Sequence, residues 1–172
     1  IRAALVGCGG RGTGAAVNFL NVKDQVKIVA LADAFEDRAK NCLRYLTENC
    51  DKEKLDVTPE RMFVGLDAYQ KALDRGIDVV LLCTPPGFRP IHYDAAIKAG
   101  KHVFMEKPVC TDAPGFRSVM ETNKLADEKN LKVVVGLQRH HEPTWIKGIQ
   151  DIHDGKLGDI LMLRVYWNGG SA

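Results

Sequence analysis

The chain has 172 residues, 45% hydrophobic and 27% charged, with 24 basic against 22 acidic side chains and a net charge of +2. That is the composition of an ordinary globular protein with room for one well-buried core. The charges form no basic stripe, which argues against a nucleic-acid partner, and no apolar run approaches the ~20 residues a bilayer crossing needs.

Strand-like and helix-like segments alternate from the first residues onward. A strand over 2–6 leads into Gly7-Cys8-Gly9-Gly10-Arg11-Gly12, a helix is expected over 13–21, and a second strand over 27–33 ends on Asp33. A helix follows over about 36–50, with Ala39, Leu43, Leu46 and Cys50 on one stripe, then a polar connection over 51–58 and a short strand over 61–64. Leu66, Tyr69 and Leu73 mark the buried stripe of the next helix, closed by Gly76. The run 77–83 is too apolar to have a solvent face, which fits a central strand of a parallel sheet.

Thr84-Pro85-Pro86-Gly87 stops that strand, and Pro90 sits in the first turn of a helix to Ala99 with Gly100 as its cap. His102–Met105 is a strand, Asp112 caps a helix to about Asn130, and 131–136 is the sixth strand. A helix over 142–154 and a last strand over 160–167 close the sequence. The expected architecture is α/β, a doubly wound parallel sheet. The final strand has nothing to cover it, so residues 1–136 are expected to form a dinucleotide-binding domain. Residues 137–172 are expected to form a crossover and the start of a second, truncated one.

The order strand, glycine turn, helix, strand, acid is what a dinucleotide site requires. Gly7 permits the tight turn, Gly9 lets backbone approach a pyrophosphate, and Gly12 lets the helix pack on the strand. Asp33 stands where a carboxylate accepts the ribose hydroxyls of the adenosine half; it also suits an N-cap for the helix starting near Glu36. A 2′-phosphate would meet a like charge there, and Ala34 and Phe35 follow without compensation, so NAD is favoured over NADP, although Arg38 could swing toward a phosphate.

Ligands of open α/β sheets sit beyond the carboxyl ends of the strands, where Thr84-Pro85-Pro86 and Glu106-Lys107-Pro108 also fall. The first reads either as a rigid flank for phosphates and the nicotinamide ribose or as a plain two-proline loop. On spacing alone Lys107 is a surface lysine in a turn; near a nicotinamide it could hydrogen-bond a substrate oxygen, with Glu106 orienting it. Five cysteines (Cys8, Cys42, Cys50, Cys83, Cys110) have no metal-ligand spacing, and neither a metal nor a disulfide framework is expected. His140 and His141 read as a polar contact rather than metal ligands, His153 as a helix-face residue, and Trp145 and Trp167 as core or interface.

The glycine turn, Thr84-Pro85-Pro86, and Ala99-Gly100-Lys101-His102-Val103-Phe104-Met105-Glu106-Lys107-Pro108 together resemble, in order and spacing, the N-terminal domain of the Gfo/Idh/MocA oxidoreductases. Gly136-Leu137-Gln138-Arg139-His140-His141 is similar to that family's crossover into a second domain. The resemblance spans almost the whole chain. It implies an NAD(P)-binding Rossmann domain, with Lys107 as a catalytic residue by the nicotinamide and with Gly10, Arg11, Glu106 and the turn residues in the cofactor site. It also implies an Asp/His pair in a second domain that this sequence does not contain.

One departure is local. The family often has histidine five residues after the turn's threonine; here that position is Arg89, and His92 follows three residues later. The implied activity is hydride transfer between NAD and a hydroxyl carbon of a sugar or polyol. The alternatives are an NAD-dependent glycosidase working by redox elimination and a non-catalytic nucleotide-binding protein. A homo-oligomer, dimer or tetramer, is expected of the full-length form. The chain starts at Ile1 inside a strand, so an upstream segment is expected; a cytoplasmic location is favoured, with export of the folded holoenzyme to the periplasm left open.

Overall fold

In the computed structural model, which describes residues 1–166, 168 and 169, Ala3, Ala4, Leu5 and Val6 are all buried although successive side chains point to opposite faces. Ala4 and Val6 join one apolar cluster and Ala3 and Leu5 another, so this strand, β1 (Arg2–Val6), is covered on both sides. That is why it reads as an unbroken apolar run. Five further strands complete the sheet: β2 (Lys27–Asp33), β3 (Met62–Val64), β4 (Val79–Leu82), β5 (His102–Met105) and β6 (Val133–Val135). The order is β3-β2-β1-β4-β5-β6 with every pairing parallel. The chain therefore reverses its direction of travel between β1 and β4, and a crevice opens beyond their carboxyl ends.

One face carries α1 (Gly10–Leu20) and α2 (Glu36–Asn49), through Ala16, Leu20, Ala39, Cys42 and Leu46. The other carries α3 (Ala68–Leu73), α4 (Arg89–Lys98) and α5 (Ala113–Glu128), through Ala72, Leu73, Tyr93, Ala96, Ile97, Val119 and Ala126. Asp112 caps α5 as expected, its Oδ1 accepting the Gly115 N–H at 2.7 Å. Tyr93 donates from its hydroxyl to Asn123 Oδ1 at 2.7 Å and ties α4 to α5.

Several boundaries differ from the sequence reading. α1 begins at Gly10, not at 13, because the first helical turn asks for no intrahelical N–H partner and tolerates glycine. The fourth and sixth strands are shorter than 77–83 and 131–136, and Arg61 belongs to a 3-10 turn ahead of β3. Leu66 is not on the stripe of α3: Gly65, at φ +119, turns the chain first, and Leu66 is 73% exposed. In α2 Cys42 joins Ala39 and Leu46 in the fully buried stripe, with Leu43 and Cys50 partly buried against the same cluster.

By its internal contacts the chain divides into two units, Ile1–Gly136 and Leu137–Ala172. The second contains α6 (Pro143–His153), none of whose residues is buried; Trp145 is half-exposed, with the Arg139 guanidinium 5.4 Å from its ring centroid, so it is not a core residue of this chain. The strand expected over 160–167 does not form across 160–166, and Trp167 lies outside the described residues. A strand takes its hydrogen bonds from a neighbour, and no described segment of this unit offers one; Leu161, Leu163 and Val165 remain exposed. No helix among the described residues is long and apolar enough to cross a membrane.

Candidate functional site

At Gly7 and Gly12 the glycine turn is shaped by contacts that leave no space for a side chain. Gly7 has φ +96, and a Cβ on it would stand 2.6 Å from the Thr84 nitrogen. A Cβ on Gly12 would lie 1.8 Å from the Gly7 carbonyl oxygen, so only glycine lets the start of α1 rest on the end of β1. Gly9 precedes the helix in extended geometry, and the free N–H groups of the first turn of α1 border the cleft.

Asp33, at the end of β2 and nearly buried, holds this turn from the side. Its Oδ2 accepts the Cys8 N–H at 2.6 Å and its Oδ1 the Phe35 N–H at 3.0 Å. It does not cap α2, whose N-cap is Phe35. Cys8 packs behind, its thiol 3.6 Å from the Ala32 carbonyl oxygen and pushed well above the ordinary thiol range by its contact with Cys42 and by burial. All five cysteines are free thiols.

A cleft of about 590 Å³, within the usual range for small-molecule sites, runs over the carboxyl ends of the strands. Its lining includes the residues expected at the cofactor and substrate site: Gly7, Gly9, Gly10, Arg11, Gly12, Asp33, Arg38, Thr84, Pro85, Pro86, Glu106 and Lys107. One expected contact is different. Glu106 does not orient Lys107; its Oε1 lies 3.1 Å from Arg11 Nε across the cleft mouth. Lys107 is exposed and makes no ion pair among the described residues. Arg38 stands beside Gly9, its guanidinium 5.9 Å from the Phe35 ring centroid.

On the other wall the sequence named Arg89 and His92 but not what they touch. Arg89, 1% exposed, donates through Nη1 to the Leu82 carbonyl oxygen and through Nη2 to that of Thr84 at 2.8 Å, clamping the turn after β4. His92 is buried beside it, with Nδ1 3.1 Å from Thr84 Oγ1 and its ring 4.2 Å from that of Tyr69. Burial, reinforced by the Arg89 charge, pushes His92 down to about 4, so it is neutral at neutral pH. Burial and then the Glu106 charge push the Cys83 thiol up to about 12. The cleft is thus lined by four cations (Arg11, Arg38, Arg89, Lys107) and two carboxylates (Asp33, Glu106), a net charge of +2. Phe35 and Leu66, exposed at its rim beyond β2 and β3, add apolar surface. The sequence signal for these residues was their place just after a strand end.

In the second unit, His140 and His141 lie in a 3-10 turn over Gln138–His141, and Arg139 pairs with Glu142 at 2.6 Å. No three His, Cys, Asp or Glu side chains converge as a metal site among the described residues.

A glycine turn, a carboxylate and a cationic crevice at the switch point of a 3-2-1-4-5-6 sheet define a dinucleotide-binding α/β domain. The chain belongs to the Gfo/Idh/MocA oxidoreductase family, whose sequence model, described as an NAD-binding Rossmann fold, matches residues 1–137. Among similar proteins, the inositol 2-dehydrogenase of Rhizobium meliloti is 31% identical over 100 residues, covering 58% of this chain and 29% of its own. The inositol 2-dehydrogenase/D-chiro-inositol 3-dehydrogenase of Halalkalibacterium halodurans is 29% identical over 165 residues, covering 95% and 43%. Among solved structures, scyllo-inositol dehydrogenase from Lactobacillus casei, with bound NAD(H) and scyllo-inositol, superposes with a TM-score of 0.73. It is 24% identical and covers 92% of this chain and 42% of that one, a likeness of fold. The chain spans less than half the length of these relatives.

Proposed function

We propose that this chain is the cofactor-binding part of an NAD-dependent dehydrogenase acting on a hydroxyl carbon of a sugar or cyclic polyol. The observation that carries the reading is the Asp33 carboxylate, tied by two backbone N–H groups beside the glycine turn. An ionised carboxylate offers about four lone-pair sites, so two remain for the ribose hydroxyls of the adenosine half. A 2′-phosphate in the same place would face a fixed negative charge, which favours NAD over NADP.

The other residues fit the same ligand. Gly7, Gly9, Gly10 and Gly12 leave backbone exposed to a pyrophosphate, the N-terminus of α1 and Arg11 supply donors and positive charge, and Arg38 stands beside them. The excess of two positive charges matches the two negative charges of a pyrophosphate. Phe35 and Leu66 provide apolar surface for adenine. Thr84, Pro85, Pro86 and Glu106 border the opposite half, beyond β4 and β5, and there Lys107 hydrogen-bonds the substrate oxygen and polarises it.

NAD, when bound, supplies the hydride acceptor for a carbinol carbon. The base that removes the hydroxyl proton belongs to a second domain, of which residues 137–172 form the crossover and the beginning. That inositol dehydrogenases recur among the relatives supports a cyclic polyol as substrate.

The test uses the full-length protein with NAD and a panel of inositols and sugars, followed by absorbance of the reduced nicotinamide. Reduction on at least one cyclic polyol is expected. Binding of NAD with no reduction on any of them would overturn the dehydrogenase reading, and release of an aglycone without net NADH would replace it with the glycosidase.

A further inference from the structure

Of the four cations lining the cleft, Arg89 is the buried one. A buried charge is costly unless something opposes it, yet no carboxylate pairs with Arg89 among the described residues. Its partners are two carbonyl oxygens, and its Nε has none. The side chains around it do not cancel the charge either. His92 and Cys83 are neutral at neutral pH, and Glu106, whose charge also reaches Arg89, is shared with Arg11, so the two arginines and the one carboxylate still leave one positive charge. The β4–β5 half of the cleft is therefore held at positive potential by a group that cannot swing away, in surroundings where water screens it poorly. Arg38 and Lys107, both exposed, are free to move and are screened.

The ring half of a bound dinucleotide falls in this part of the cleft if the adenosine half sits at Asp33. A nicotinamide ring is cationic when oxidised and neutral once it has accepted hydride. We propose that Arg89 is the specificity-determining residue for redox state: its buried charge makes the cleft hold reduced nicotinamide dinucleotide more tightly than the oxidised form. The inference rests on the NAD reading given above and names which residue biases that site. The clamp on the Leu82 and Thr84 carbonyls has a part in it, because it fixes the charge at one place in the wall.

Calorimetric titration of the full-length protein with NAD+, NADH and ADP-ribose tests this. ADP-ribose carries the adenosine and pyrophosphate halves without the ring, so it reports the site alone. In Arg89→Met the preference for NADH over NAD+ should shrink by about five-fold, beyond whatever affinity for the pyrophosphate is lost with the charge, which ADP-ribose reads and both dinucleotides share. Arg89→Lys keeps the charge and should keep most of the preference. A common loss of affinity for all three ligands in Arg89→Met, with the preference kept, would make Arg89 a structural clamp only. An unchanged preference, or a lysine variant as altered as the methionine one, would equally overturn the proposal. Should Arg89→Met fail to fold, Arg89→Gln carries the same comparison with a neutral side chain that still reaches a carbonyl. A parent protein that binds ADP-ribose but neither dinucleotide defeats the proposal through the ring half; one that binds none of the three defeats the NAD reading beneath it.

Discussion

The two halves of the cleft are built on different principles. Beyond β1, β2 and β3 the wall is mostly backbone: glycines without side chains, a carboxylate locked by the N–H groups of Cys8 and Phe35, and an apolar rim at Phe35 and Leu66. Beyond β4 and β5 it is mostly side chain, with a buried guanidinium, a neutral histidine beside an aromatic ring, an ion pair across the mouth and a lysine with no ion-pair partner among the described residues. The first half is finished before a ligand arrives, which suits recognition of a constant group. The second holds uncancelled positive charge and an uncommitted donor, which suits chemistry that moves charge. Damage to the first should therefore appear as lost binding or lost fold, and damage to the second as altered chemistry or pH response.

The largest effect is expected at the seam between strand and helix. Gly12→Ala would drive a methyl group into the Gly7 carbonyl. It should cost about 3 kcal/mol, read from urea denaturation, as overpacking of a well-filled site does, and should abolish dinucleotide binding. Next come two alanine variants that separate the halves. Lys107→Ala should lower kcat about 100-fold, within the range of lost proton-transfer or polarising groups, with NAD affinity within about three-fold of the parent. Asp33→Ala should weaken NAD about 30-fold, in keeping with hydrogen bonds to a charged acceptor, and should narrow its advantage over NADP. Equal effects on kcat and Kd in both variants would erase the distinction between the halves.

The last effect, a pH response of the second half, is confined to acid conditions. His92 is held at about 4 in the folded chain, below the 6.5 of a free histidine. Between those values the unfolded chain binds a proton that the folded one refuses, so stability falls as pH drops from about 6.5 to 4. The loss should approach roughly 3 kcal/mol at the acid end, and His92→Phe should flatten that part of the profile.

Much of this was legible in the sequence because the controlling demands are local. A strand buried on both faces announces itself as a run such as 2–6 or 27–33, and a turn that excludes Cβ atoms announces itself as Gly7 and Gly12. Leu66 misled because apolar spacing carries no notice of the left-handed turn at Gly65 that ends the pattern. The strand expected at 160–167 failed for a related reason: apolar content is local, but a hydrogen-bonding neighbour is not. The partners of Arg89 and Glu106 lay furthest from reach. Whether a charged residue after a strand points at solvent, at carbonyls or at an arginine near the other end of the domain is decided by tertiary approach, which composition does not encode.

Gly136, the last residue of the first unit, has a role that its position outside the cleft lining conceals. A Cβ there would stand 3.1 Å from Glu106 Oε2 and 3.3 Å from Phe104 Cζ. The bare backbone where the chain leaves β6 thus gives the Glu106 carboxylate the room from which it reaches Arg11. Even one methyl group at that exit would crowd the acid, loosen its hold on the arginine at the start of α1, and shift the balance of charge where the pyrophosphate is proposed to rest.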